Sequence, residues 1–334
     1  MFADLTEQWL EYKLMNTGQA VRTIEVYRLA LRRLGQYFAE RDPLSATHDD
    51  LIVFCGVWLH KQGLKDPVSR RTHIAAVRGF YAWCKDNRHL RDNPASGIPY
   101  PTSGRKIPRV ITLANAEKLM WAPDFSTFAG VRDGAMLAVM TGCGLRASGL
   151  VHLNESHLLQ DEIDGKVRLM LRVLEKGSKE RILPVPIEAD LMLRIYLEHP
   201  ELQGIDRMLP DGDRVLFVSL NNRSIGAHEY IGEKRRLNRR AVLQMVKRYG
   251  QALGIPEGQL HPHAFRHLYG TELVEDDVQL LNTQLLMGHA DPKSTSIYTH
   301  TARRKLTREV DRANPMAKMR TPVSDLLQKL KGKP

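Results

Sequence analysis

Between Ile98 and Pro108 the chain reads IPYPTSGRKIP, with prolines at 99, 101 and 108 and a Ser-Gly pair among them. Proline fixes φ and carries no amide hydrogen, so neither a helix nor an interior strand runs through such a stretch. A chain of 334 residues divided in this way is expected to fold as two bodies, each burying its own core. The expected boundaries are a first domain over 1–98, a linker over 99–110, a second domain over 111–320 and a tail over 321–334.

The first body reads as four helices. Ile24, Tyr27, Leu31, Leu34 and Phe38 recur at spacings of 3, 4, 3 and 4, one face of a long helix. A shorter helix before it carries Leu5, Trp9 and Tyr12 on one side. Thr47 followed by Asp50 is an N-cap signature and opens a third helix through Val53 and Trp58. A fourth is expected from about Pro67 to Asn87, with Pro67 in its first turn and Ile74, Val77 and Tyr81 inward. Its other side carries Arg70, Arg71, His73 and Arg78, either a solvated face or a surface for a polyanion.

The second body is mixed. Helices are expected near 114–121 and 131–141 and again from about Arg146. Val167, Leu169, Leu171 and Val173 alternate with period two, as in a half-buried strand. The turn EKGSK at 175–179 and a return over Arg181 to Val185 complete a β-hairpin with lysines at its tip. An irregular stretch over 202–240 ends in Lys234, Arg235, Arg236, Arg239 and Arg240, and the chain is helical again from Ala241. The fold class expected is mainly α with a small β-hairpin or sheet: a helical N-terminal domain and a mixed α/β second domain.

Charge narrows the function. Lys and Arg exceed Asp and Glu by 49 − 38 = +11, which calls for a polyanionic partner, most often nucleic acid. The N-terminus lacks the apolar run of a signal peptide, and no stretch of about 18 apolar residues is present, so no membrane role is expected and the cytoplasm is the default compartment. Cys55, Cys84 and Cys143 are odd in number and far apart, which argues against a disulfide framework and a thiolate zinc site. His263 and His267 stand at i, i+4, but no Glu follows His263 as the HExxH zinc motif requires.

Four pieces of the second half stand out: TGCGLRASGL at 141–150, EKGSKER at 175–181, HPHAFRH at 261–267, and LMGHADP from 286 running on to Tyr298-Thr299-His300. Singly, each has a dull explanation. Together, in order and in register, they resemble the tyrosine recombinase (phage integrase) family, and in size and layout its Xer-type members. The family pattern falls on Arg146, Lys176, His263, Arg266, His289 and Tyr298, with nine residues from His289 to Tyr298 and 23 from Arg266 to His289. The resemblance covers nearly the whole chain. It implies a core-binding domain, a linker and a catalytic domain that cuts and rejoins duplex DNA through a 3′-phosphotyrosyl intermediate, in integration, excision or resolution of DNA elements.

The chemistry supports the same roles. Metal-free DNA cleavage needs a nucleophile, a clamp for phosphate charge and an acid for the leaving oxygen. Two arginine forks can hold both non-bridging oxygens, which a lysine cannot copy. An unperturbed tyrosine titrates near ~10, so Tyr298 needs a proton acceptor, and His263 is the candidate. Lys176 would protonate the 5′ oxygen, with Lys179 as a second lysine on the turn, and His289 would bind the phosphate. No cofactor is expected, because there is no Walker A loop and no carboxylate cluster for two metals.

One position departs from the family. Gly149 stands where an acid usually follows the first arginine by three residues. The alternatives to a recombinase are a type IB topoisomerase-like DNA-relaxing enzyme and a catalytically weakened DNA-binding accessory protein. The expected partners are double-stranded DNA, three further copies in a homotetramer on two DNA sites, and accessory DNA-binding proteins. Arg70, Arg71, His73, Arg78, Arg105, Lys106, Lys179, Arg235, Arg236, Arg239 and Arg240 are the candidate DNA contacts, arranged as a C-shaped clamp made by both domains. In the tail, Val323, Leu326, Leu327 and Leu330 form one apolar stripe. Residues 321–330 are therefore expected to dock on a neighbouring copy.

Overall fold

The computed structural model describes residues 1–102, 110–174, 180–222, 225–288 and 300–325. The chain divides into two compact units, Met1–Lys106 and Ile107–Pro334.

The first unit is helical: α1 (Phe2–Met15), α2 (Val21–Phe38), α3 (His48–Val53), α4 (Leu59–Lys61) and α5 (Pro67–Asp86). A single wide turn over Phe54–Trp58 joins α3 to α4, so the two make one interrupted helix. Thr47 and Asp50 close a reciprocal cap at the start of α3. Asp66 accepts from the Ser69 amide with Pro67 in the first turn, which fixes the start of α5. The core is aromatic: Trp9 stacks on Tyr27 at 5.3 Å between ring centres and meets Phe80 edge-on at 5.9 Å. Leu31, Leu34, Ile74, Val77 and Tyr81 close around them. Tyr12 does not share the inner face of α1 with Leu5 and Trp9. It is exposed, and Leu10 is buried instead, because the helix turns its buried stripe toward α2 and α5.

The second unit runs α6 (Leu113–Trp121), α7 (Phe128–Cys143), α8 (Ala147–Val151), β1 (Leu158–Ile163), β2 (Lys166–Leu174), β3 (Glu180–Pro184), α9 (Ile187–Leu197), α10 (Pro200–Gln203), α11 (Arg239–Ala252), α12 (Pro262–Glu275), α13 (Leu280–Met287) and α14 (His300–Ala313). The strands form an antiparallel sheet in the order β1-β2-β3, with Leu158 opposite Leu171 and Met170 opposite Pro184. The mainly helical class with a small sheet is as expected. Strand β1 went unread because LLQDEI carries three polar residues in a row and shows no clean alternation. Helix α7 is buried along nearly its whole length and is the axis around which α6, α9 and α12 pack. Among the described residues, no helix is long and apolar enough to cross a membrane.

Candidate functional site

Arg146 and Arg266 are 120 residues apart in sequence, and the ends of two helices bring them together. Helix α7 ends on Gly144 in the left-handed conformation, φ +58°. A Cβ there would lie 2.3 Å from the Tyr269 ring, so only glycine fits this turn. Two residues on, Arg146 is the N-cap of the short helix α8, with an extended backbone and a half-buried side chain. From α12, Arg266 reaches back and donates from Nη1 to the Gly144 carbonyl at 2.8 Å. Its Nη2 donates to the Met287 carbonyl at the end of α13. Only 3% of Arg266 is exposed, so one buried guanidinium ties together the ends of α7 and α13.

His263 lies in the first turn of α12, after the N-cap His261 and Pro262, and is exposed. Its pKa is held below the usual histidine value, first by partial desolvation and then by the positive fields of His267, Arg266, His261 and Arg146. The imidazole is therefore neutral near pH 7 and able to accept a proton. Gly149 lies on α8, and a Cβ added there would meet only the Val173 side chain, at 3.4 Å. Lys176, Lys179, His289 and Tyr298 lie outside the described residues, as do Arg105 and Lys106.

The arginines expected on DNA separate into two kinds. Arg71 is exposed and Arg70 half-buried on α5, while Arg239 and Arg240 are exposed in the first turn of α11. Two cations at a helix N-terminus oppose the helix dipole, an arrangement that a bound anion relieves. Arg78 stacks over Tyr100 and donates to the Ile98 carbonyl at 3.1 Å, so it also braces the chain leaving the first unit. Arg235 lies over the Tyr230 ring at 4.0 Å.

Two positions differ from expectation. His73 is buried rather than on the outer face of α5. Its Nε2 lies 2.8 Å from Arg33 Nη1 and its Nδ1 3.1 Å from the Ser69 carbonyl. Arg236 spends its guanidinium on the carbonyls of Val151 and Leu153, on Asn154 Oδ1 and on Glu233. That network holds the far end of α8, the helix that Arg146 opens.

Of the expected tail stripe, only Val323 lies among the described residues. Thr321 and Val323 are buried in the core of their own unit, and Trp121 Nε1 donates to the Arg320 carbonyl at 2.9 Å. Leu326, Leu327 and Leu330 lie outside the described residues.

Sequence reasoning overlooked Arg181, which is 5% exposed on β3 and donates from Nη1 to the Leu286 carbonyl. The signal was present: period-two alternation puts residue 181 on the same face as buried Leu183. It also overlooked the pairing of Arg168 on β2 with Asp311 on α14, two bonds of 2.5 Å each.

The phage integrase family model matches residues 109–305, and the phage integrase N-terminal SAM-like domain matches residues 6–88. Tyrosine recombinase XerD of Proteus mirabilis is 31% identical over 307 residues, 90% of each chain. Tyrosine recombinase XerC of Herpetosiphon aurantiacus is 32% identical over 298 residues, 88% of this chain and 89% of the relative. Among solved structures, XerH bound to palindromic difH in a post-cleavage complex has a TM-score of 0.63 at 17% identity, covering 91% of this chain and 83% of that one. A lambda integrase tetramer bound to a Holliday junction has a TM-score of 0.63 at 15% identity, covering 86% and 77%. At these identities the structural likeness is one of fold.

Proposed function

This chain belongs to the phage integrase family and is a tyrosine site-specific DNA recombinase, and from that premise we propose which of its residues carry the reaction. Tyr298 Oη attacks the scissile phosphorus. Its proton passes to neutral His263, and the P–O5′ bond breaks as Lys176 gives a proton to the departing 5′ oxygen. Arg146, Arg266 and His289 bind the non-bridging oxygens, whose charge grows in the transition state. The 3′-phosphotyrosyl link keeps the energy of the phosphodiester. A 5′ hydroxyl from another strand then attacks it, Lys176 takes that hydroxyl's proton, and Tyr298 leaves as the P–Oη bond breaks, taking its proton back from His263.

The observation that carries this reading is the convergence of Arg146, His263 and Arg266. Arg266 is bonded two residues from Arg146, and both arginines depress the pKa of His263. The match of residues 6–88 to the N-terminal domain of the family, with Xer-named relatives along most of the chain, leaves the topoisomerase alternative unsupported.

Both units contribute phosphate contacts in this reading: Arg70, Arg71, Arg78, Arg105 and Lys106 from the first, with Lys179, Arg235, Arg239 and Arg240 from the second. Four copies assemble on two sites in the cytoplasm, acting on a mobile or chromosomal element. The lambda integrase of the same fold, solved as a tetramer on a Holliday junction, supports that assembly.

The test uses a duplex selected by the chain from a randomised pool, nicked so that cleavage traps the covalent adduct. Tyr298→Phe is expected to bind that duplex normally and form no adduct. An adduct with the Phe variant removes Tyr298 from the role. Binding should weaken by roughly 0.9 log unit per log unit of salt for each phosphate neutralised.

A further inference from the structure

The general acid and the nucleophile assigned above lie far apart in the sequence, and one buried side chain links two elements that flank them, β3 after Lys176 and α13 before Tyr298. Lys176 follows β2 in the sequence and precedes β3, which begins at Glu180. Tyr298 follows α13 in sequence and precedes α14. Arg181, the second residue of β3, sends its guanidinium to the last turn of α13 and donates to the Leu286 carbonyl. Arg266 serves the next carbonyl, Met287, and Gly288 then turns the chain at φ +63°.

The far side of the same segment is also tied to the sheet. Helix α14 lies against β3. Its Asp311 is paired with Arg168 of β2, and its Arg308 with Asp164 in the β1–β2 turn at 2.8 Å. The sheet therefore holds α13, which precedes Tyr298 in the sequence, and α14, which follows it, and Arg181 makes the contact that lies nearest to Lys176 along the chain.

Stability alone is a weak explanation for Arg181. Removing a guanidinium from water is costly, and a well-packed hydrophobic side chain of similar volume often serves a core as well or better. Its geometry does something a hydrophobic residue cannot. The last carbonyls of a helix lack partners within the helix, and a cation there satisfies them directionally.

We propose that Arg181 is a positioning residue that acts through Lys176: it pins β3, the strand that follows Lys176 in the sequence, to the end of α13, the helix that precedes Tyr298, and so fixes the frame from which the acid works. The proposal rests on the assignment of Lys176 as acid and Tyr298 as nucleophile. It concerns neither the phosphate clamp nor the DNA contacts.

The experiment compares Arg181→Met and Arg181→Lys in the full-length chain, on the selected nicked duplex. Met should melt no lower than the parent and bind within about threefold, yet cleave at least about tenfold more slowly in single turnover, which is about 1.4 kcal/mol of barrier. Lys reaches one carbonyl without the planar fork and should recover part of the rate. A second substrate carries sulfur in place of the 5′ bridging oxygen. A thiolate leaves without a proton, so a defect that acts through Lys176 should narrow on it severalfold. Unchanged cleavage in Arg181→Met overturns the proposal. So does a defect of the same size on both substrates, and so does a parallel fall of melting temperature, binding and rate in both variants. Tyr298→Phe, run beside them, tests the nucleophile separately, since its adduct signal does not depend on how Arg181 behaves.

Discussion

At the centre of the first unit, Trp9 is stacked on Tyr27 and edge-on to Phe80, and the polar groups buried nearby are Thr6 and His73. In the second unit Asp133 is fully buried on α7, held by Arg132 at 2.7 Å, Arg248 at 2.9 Å and the Tyr249 hydroxyl at 2.9 Å. Arg181, Arg207, Arg266 and Glu272 are buried there as well. The first unit is held by shape and apolar area, which tolerate exchange among similar side chains. The second adds directional bonds from charged groups to backbone, which fix where the chain emerges at helix ends. Arg146 and His263 stand at helix starts, and a catalytic arrangement is sensitive to small displacements.

The largest effects should come from breaking each core in its own currency. Asp133→Ala leaves Arg132 without its buried carboxylate and should cost ~3–5 kcal/mol in chemical denaturation. Trp9→Ala should cost ~3–5 kcal/mol in the first unit. The repairs should then diverge. Trp9→Phe recovers much of the loss, whereas Asp133→Leu recovers little, because the Arg132 guanidinium still lacks its buried carboxylate. Trp9, Trp58 and Trp83 lie in the first unit and Trp121 in the second, so tryptophan fluorescence reports chiefly on the first. Equal repair in both units would erase the contrast.

Gly144→Ala should follow. A left-handed alanine costs ~1–2 kcal/mol before the 2.3 Å clash with Tyr269 is counted. The variant should lose cleavage far beyond its loss of stability, because Gly144 carries the carbonyl that Arg266 grips. Comparison of melting with single-turnover cleavage measures this.

Gly149→Glu should act in the opposite direction. A side chain fits beside Val173, and replacing a helical glycine contributes up to ~1 kcal/mol. A rise in cleavage rate would identify Gly149 as the source of a weakened site, and an unchanged rate would acquit it.

The smallest effects are those of pH, and they differ between the units. Burial, followed by the Arg33 charge, lowers the His73 pKa in the fold. The unfolded chain takes up a proton near the usual ~6.5 while the folded chain does not. The first unit should therefore lose stability as pH falls through that value toward the lower folded pKa. His73→Leu should remove that dependence. In the second unit, neutral His263 should sustain cleavage down to pH below ~6.5, with the rate falling as pH drops through its lowered pKa. A pH–rate profile already falling above that range would displace His263 as the proton acceptor.

Much of this was legible in the residues. The α2 stripe Ile24–Phe38, the Thr47–Asp50 cap, the Pro67 start of α5 and the β2–β3 hairpin are local, set by spacing and capping within a few residues. The family was legible because the pieces that carry the resemblance keep their order and intervals along the chain. The division within the proline-bearing stretch rests on composition alone, and the partition of the chain into two compact units falls between residues 106 and 107.

What the sequence could not determine is where a charged side chain goes. Arg70 and Arg71 on α5 look the same in sequence as His73, yet His73 turns inward to Ser69 and Arg33. Arg236 sits in a basic run with Arg235, Arg239 and Arg240, yet it secures α8. Arg181 and Leu286 are 105 residues apart, and no local rule joins them. A helix or a turn is decided by neighbours in the chain. The partner of a long cationic side chain is decided by whichever carbonyl or carboxylate folding brings within reach, and only the packed tertiary structure sets that.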